Sequence, residues 1–303
     1  MNQLVSVIIP TYGGGHYLKR CVDSVLSQTY RDIEIIVVDD NGVGTRNQLL
    51  TQKVMRCYEN DKRVKYVCHE VNKNGSAARN TGFLNSSGEF IALLDDDDVY
   101  LPEKIENQVA DINALDDSYA LVYCNREAFL KGKSMGVRSE PKSGYLFYEV
   151  MMHDVVIGSS SLLIRRKVWK EIGGFDETFR RHQDYEFTAR IAHKYKVYGE
   201  NFIGFNRYLL NRNSPQNIDI AYTYRKHFIE KMMPYIETLP HSQKQEVIYS
   251  NYMSVCIQYL KRGNIKSFLR MYNSIRPGFY GLKYIFRDFI LVIKNNLNIK
   301  SRK

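Results

Sequence analysis

Four consecutive aspartates, Asp95 to Asp98, stand directly after the apolar run 90–94 in "FIALLDDDDVYLPEKI". Adjacent carboxylates repel one another, and a buried strand would lift the first of them to the edge of a low-dielectric core. Asp is a good turn former and helix N-cap, and "VYLPEKIENQV" opens a helix with Pro102 near its first turn. That accounts for one or two of the acids. A hard divalent cation accounts for more, because Mg²⁺ takes one or two carboxylates and completes its shell with water and substrate phosphates, and Mn²⁺ also accepts oxygen ligands. A solvated acidic turn is the alternative.

These residues need elements to position them. The first hundred residues alternate between short apolar runs and helical stretches: strands at 4–9, 33–38, 64–67 and 90–94, helices at 16–28, 44–58 and 76–85. Such alternation implies βαβ units and an α/β fold with a mostly parallel sheet flanked by helices. Leu18, Cys21, Val22, Val25 and Leu26 fall on one helical face and read as core. In open α/β sheets ligands bind beyond the carboxyl ends of the strands. Thr11 and Tyr12 follow the first strand, Asp39 and Asp40 the second, and Asp95 to Asp98 the fourth. Acids and an aromatic therefore gather on one rim, although Asp, Asn and Gly are also common in plain turns.

The 303-residue chain, 44% hydrophobic and 13% aromatic, can build a substantial core. Its five cysteines are widely spaced, with no CxxC pair, so neither a disulfide framework nor a zinc site is expected and a reducing cytoplasm is the expected home. No leader-like or bilayer-length apolar run is evident. The net charge of +10 is uneven, since residues 261–303 carry eleven Lys and Arg against the single acid Asp288. Nucleic acid is not an expected partner, because the acidic rim would repel phosphates.

Taken together, "VSVIIPTY", "LSQTYRDIEIIVVDD", "GSAARNTGFLNSSGEFIALLDDDD" and "GGFDETFRRHQDYEFTAR" resemble the inverting GT-A glycosyltransferases of family 2, over roughly residues 4–215. The resemblance implies a Rossmann-like domain over 1–218, with a nucleotide-binding half (1–100) and an acceptor-binding half (101–218), followed by a helical basic extension over 219–303. It implies a nucleotide-sugar donor, with a UDP-sugar expected, and a saccharide or lipid-linked saccharide acceptor in surface-polysaccharide synthesis. Tyr12, beside Thr11, is placed against the nucleobase; Asp40, supported by Asp39, accepts the imide N–H of the base. Arg79, with Asn80, lies near the ribose or diphosphate. Asp95, Asp96 and Asp97 form the DxD motif, in which Asp97 ligates Mn²⁺ or Mg²⁺ and Asp95 holds the ribose or the metal's water shell. Asp184 is the general base. The pattern departs where Gly13 follows Tyr12 and Asn41-Gly42 follow the aspartates, and no later metal-binding His is evident in "LLNRNSPQN" (209–217).

In "LKYIFRDFILVIKNNL" (282–297) apolar residues recur near helical spacing among Lys283, Arg287 and Lys294. Such a helix either lies on an anionic membrane surface or packs on the enzyme or a second subunit. Two rival functions remain. A haloacid-dehalogenase-type phosphatase formally fits Asp95-x-Asp97, but its nucleophile normally follows the first strand. A non-catalytic sugar-nucleotide-binding module would carry the same pocket.

Overall fold

The computed structural model describes residues 3–13, 15–137, 141–209 and 217–275. The loop after Leu209 and the 282–297 stretch fall outside them, save Asn217. By Cα packing the chain divides into two compact units, residues 1–150 with 155–212 and residues 151–154 with 213–303.

The first unit begins as the alternation predicts. β1 (Val5–Thr11), α1 (Leu18–Leu26), β2 (Ile33–Asp39), α2 (Arg46–Met55), β3 (Val64–Cys68), α3 (Gly75–Leu84) and β4 (Phe90–Leu93) follow in turn. β2 and β4 are buried along their whole length, as strands covered on both faces must be. Leu18, Cys21, Val22 and Val25 of α1 are buried against this sheet. α3 approaches β1 closely: a Cβ at Gly82 would collide with Ile8. Its N-cap, Asn74, accepts from the N–H groups of Ser76 and Ala77.

The later elements of this unit are β5 (Val99–Tyr100), α4 (Lys104–Ala114), β6 (Tyr119–Leu130), β7 (Lys133–Val137), α5 (Phe147–Met151), β8 (Leu162–Arg165), α6 (Arg166–Ile172), α7 (Gln183–Lys194) and β9 (Lys196–Tyr208). The sheet order is β3-β2-β1-β4-β8-β6-β9-β5, with β7 added on β6. The first four strands are parallel. Direction then changes, because β8 runs antiparallel to both β4 and β6, while β9 returns parallel to β6. The two-residue β5 pairs Val99 with Asn206 and Tyr100 with Phe205, bringing the turn after β4 to the end of β9.

The second unit contains α8 (Ile218–Ile236), α9 (His241–Lys261) and α10 (Ile265–Ile275). Phe228, Met232, Val247, Cys256, Phe268 and Met271 are buried in these helices. Asn251 of α9 donates to the Met151 carbonyl at 2.9 Å, tying the 151–154 segment into the unit.

Candidate active site

β1 is flanked by β2 on one side and β4 on the other, so the strand order reverses there and a crevice opens at the carboxyl ends. Thr11, at the end of β1, donates through Oγ1 to Asp96 Oδ2 at 2.6 Å, across this switch point. The following Tyr12 keeps 61% of its surface exposed, which leaves a ring face open to a base.

The acids after β2 lie inside. Asp39 accepts from the Asn41 amide (2.9 Å), the Asn41 side chain (2.7 Å) and the Tyr66 hydroxyl (2.6 Å). Burial and then Asp39 push the Tyr66 hydroxyl pKa upward. The Asp40 carboxylate accepts from His69 Nδ1 (2.7 Å), Asn72 Nδ2 (2.8 Å) and the backbone N–H groups of Lys73 (2.8 Å) and Asn74 (2.9 Å). Four donors match the roughly four acceptor positions of a carboxylate. Asp40 therefore fastens the 69–74 loop.

The acids after β4 are held differently. Asp95 pairs with Arg79 at 2.7 Å, and 43% of its side chain stays exposed. Asp96 meets Thr11, and Asp97 is half-buried. Asp98 is buried and accepts from Ser160 Oγ at 2.7 Å and from the Tyr208 amide at 3.3 Å. Burial first, then Asp95 and Asp97, push the Asp98 pKa well above the usual carboxylate range. Four adjacent acids thus coexist because one points inward, where its charged form is disfavoured, while Arg79 and Thr11 each hold another.

Arg79 extends this arrangement. Its Nη1 donates to Gln183 Oε1 at 2.9 Å, next to Asp184 in the first turn of α7, and its buried Nε makes no hydrogen bond among the described residues. Asp184 accepts from the Tyr185 amide at 3.0 Å. Its pKa is raised by burial and by Asp95, against the opposing pull of Arg79 and Arg207. The folded chain thus brings the Asp95 and Asp184 charges within mutual influence. His182, the residue that caps α7, has φ 61°, a conformation uncommon for a non-glycine residue. Asn80 turns away from this cluster: its amide group donates to the Phe175 carbonyl and accepts from the Phe175 N–H, both at 2.9 Å, locking the Gly173-Gly174-Phe175 loop.

Asp95, Asp96 and Asp97 offer hard oxygen donors. Among the described residues no three His, Cys, Asp or Glu side chains gather into a self-sufficient metal cage. Asp95 leans to Arg79, Asp96 to Thr11 and Asp98 to Ser160. Such a donor set suits Mg²⁺ or Mn²⁺ held by one or two carboxylates and completed by phosphate and water. Ser160 and Gln183 were not foreseen from sequence. The serine run 159–161 just before an apolar strand was the available signal for the first, and the position beside Asp184 for the second.

A doubly flanked β1, a carboxylate row at the switch point and a further buried acid in the first turn of α7 gather the polar residues of this α/β unit at one rim of its sheet. The chain belongs to glycosyl transferase family 2, whose sequence profile matches residues 6–173. An uncharacterized glycosyltransferase of Rickettsia typhi is 30% identical over 281 residues, covering 88% of this chain and 83% of that protein. The chain spans 61% of a Rickettsia prowazekii relative and 31% of a Rickettsia felis one. The UDP-Glc:alpha-D-GlcNAc-diphosphoundecaprenol beta-1,3-glucosyltransferase WfgD of Escherichia coli is 29% identical over 216 residues, or 70% of this chain and 79% of WfgD. In fold the chain is similar to S. aureus TarS 1-349 solved with UDP-GlcNAc, with a TM-score of 0.62 at 15% identity over 90% of this chain and 91% of that one.

Proposed function

We propose that the protein is an inverting, divalent-metal-dependent glycosyltransferase that moves a sugar from a UDP-sugar to a hydroxyl of a lipid-linked saccharide. The observation that carries this reading is the Asp95–Arg79–Gln183 chain of contacts, which ends beside Asp184. In the reaction the Asp184 carboxylate takes the proton of the acceptor hydroxyl. That oxygen bonds to the anomeric carbon on the face opposite the nucleotide, and the C1–O bond to the diphosphate breaks with its electron pair leaving on UDP. Asp184's raised pKa makes it a stronger base than an ordinary carboxylate. Asp97 is the residue that would hold Mn²⁺ or Mg²⁺, with Asp95 at the ribose or the metal's water shell, and the bound ion would neutralise charge on the departing diphosphate. Tyr12 stacks on the base and Arg79 reaches toward the ribose or diphosphate. For Asp40 to accept the imide N–H of uracil, one of its four donors must yield.

The WfgD likeness supports a diphosphate-linked lipid acceptor, and with it a role in surface-polysaccharide synthesis. No helix among the described residues is long and apolar enough to cross a membrane. α10 has features suited to peripheral attachment instead: Ile265 (62% exposed) and Leu269 (50%) lie one turn apart among the exposed Lys261, Arg262, Lys266 and Arg270. An apolar stripe with basic flanks suits an anionic lipid surface.

The test is incubation with Mn²⁺, a panel of UDP-sugars and undecaprenyl-diphosphate saccharides, with product anomers read by NMR. Transfer with inversion is expected. A protein that leaves every nucleotide sugar unbound and intact while releasing phosphate from phosphomonoesters would be a phosphatase. Binding without transfer would make it the non-catalytic module.

A further inference from the structure

Arg20 stands on α1, where its Nη2 donates to the backbone carbonyl of Asp97 at 3.1 Å. Its guanidinium lies 3.8 Å from the centre of the Tyr208 ring and 5.5 Å from that of Tyr17. Tyr208 in turn stacks on Phe129, with ring centres 5.5 Å apart and planes 21° from parallel. The result is a ladder, Phe129–Tyr208–Arg20–Tyr17, that runs from the ends of β6 and β9 to the start of α1. Through Arg20 it ends on the peptide of Asp97, and the Tyr208 amide also holds Asp98.

Long-range attraction alone does not explain this placement. Arg20 is exposed and reaches the Asp95–Asp98 turn, yet among the described residues it forms no ion pair and bonds the Asp97 carbonyl instead. A planar cation against an aromatic face is held in orientation as well as in position, which a lysine ammonium cannot match. Asp97 is half-buried, in a turn whose other acids are anchored by Thr11, Arg79 and Ser160. Arg20 anchors the backbone of that turn from the side of α1.

We propose that Arg20 is a positioning residue for the cation subsite: the ladder sets the Asp97 peptide so that its carboxylate meets a divalent ion without first ordering the turn. This rests on the reading of Asp97 as a metal-holding residue. Ordering a turn at the moment of binding would weaken the affinity. Removing the guanidinium therefore weakens metal binding more than nucleotide binding.

The experiment is a Mn²⁺ titration of the UDP-saturated protein, with free Mn²⁺ read by electron paramagnetic resonance and melting temperature recorded in parallel. Arg20→Ala and Tyr208→Leu should each weaken Mn²⁺ binding about tenfold. Arg20→Lys should fail to restore it, whereas Tyr208→Phe, which keeps the ring, should retain the affinity. Unchanged Mn²⁺ affinity in Arg20→Ala, with or without a lower melting temperature, would overturn the proposal. So would full recovery in Arg20→Lys. If Arg20→Ala does not fold, the Tyr208→Leu and Tyr208→Phe pair decides by the same criterion. An unaltered protein that binds neither UDP nor Mn²⁺ would overturn the transferase reading, and this inference with it.

Discussion

Two aspartate clusters stand at the ends of β2 and β4, the strands on either side of β1, and the protein treats them oppositely. Asp39 and Asp40, after β2, are buried, and their carboxylates receive seven hydrogen bonds from Asn41, Tyr66, His69, Asn72, Lys73 and Asn74. Asp95, Asp96 and Asp97, after β4, remain partly exposed, Asp95 paired with Arg79 and Asp96 accepting from Thr11. A carboxylate whose acceptor positions are filled by the protein has its charge already solvated by the fold. Carboxylates kept partly exposed beside one another repel, and a further cation among them would lower that cost.

The largest expected effect lies beyond both clusters. Asp184→Asn keeps the shape and removes the proposed base, so kcat should fall roughly 10³-fold. UDP binding measured by calorimetry should stay within a few-fold of the original. A fall in UDP affinity to match would place Asp184 in the donor site instead.

The next effect separates the clusters directly. Asp40→Ala strips the charged partner from the buried His69, from Asn72 and from the backbone N–H groups of Lys73 and Asn74, and should destabilise the fold by roughly 3 kcal/mol in urea denaturation. Asp97→Asn should leave stability unchanged or raise it by up to about 1 kcal/mol, by relieving like-charge repulsion. Equal losses in both variants would erase the distinction between the two clusters.

Acid pH sharpens it further. Burial alone would raise the Glu34 pKa, but Lys65, the Ser87 amide and the hydroxyls of Ser6 and Ser87 outweigh it and bring Glu34 down from 4.5 to about 2. A depressed folded-state value contributes stability above pH 4.5 that is lost as pH falls from there toward 2. Asp184 moves the other way, and as the proposed base it must be ionised to act, so activity should be lost as pH falls through its raised value. Inactivation on acidification should therefore precede the loss of the Glu34 contribution. Activity and circular dichroism followed over the same titration would reveal the order.

Much of this architecture was legible in the residues. The alternation through β4 and the core face of α1 follow from the hydrophobic period, and the Asp95 row stands out because four adjacent acids need an explanation. β9 was hidden: "KVYGENFIGFNRY" mixes glycine, asparagine and arginine into a strand whose pairing with β6 shifts register three times. β7 is exposed along its whole length and carries no burial pattern. The saturation of Asp40 could not be read either, because it depends on the 69–74 loop returning to β2. Arg79 was marked for the nucleotide, but its bond to Gln183 joins residues 104 positions apart and exists only in the fold.

The most direct measurement of the central claim is a thermal-shift titration with UDP, with and without Mn²⁺, on the unaltered protein and on Asp97→Asn. A ligand that binds only the folded state raises its melting temperature by mass action, by an amount worth about 2.7 kcal/mol at one hundred times its dissociation constant. Stabilisation by UDP that needs both Mn²⁺ and Asp97 is the predicted result. Stabilisation that is the same without Mn²⁺, or the same in Asp97→Asn, would contradict the assignment of the Asp95–Asp97 turn as the metal-assisted donor site.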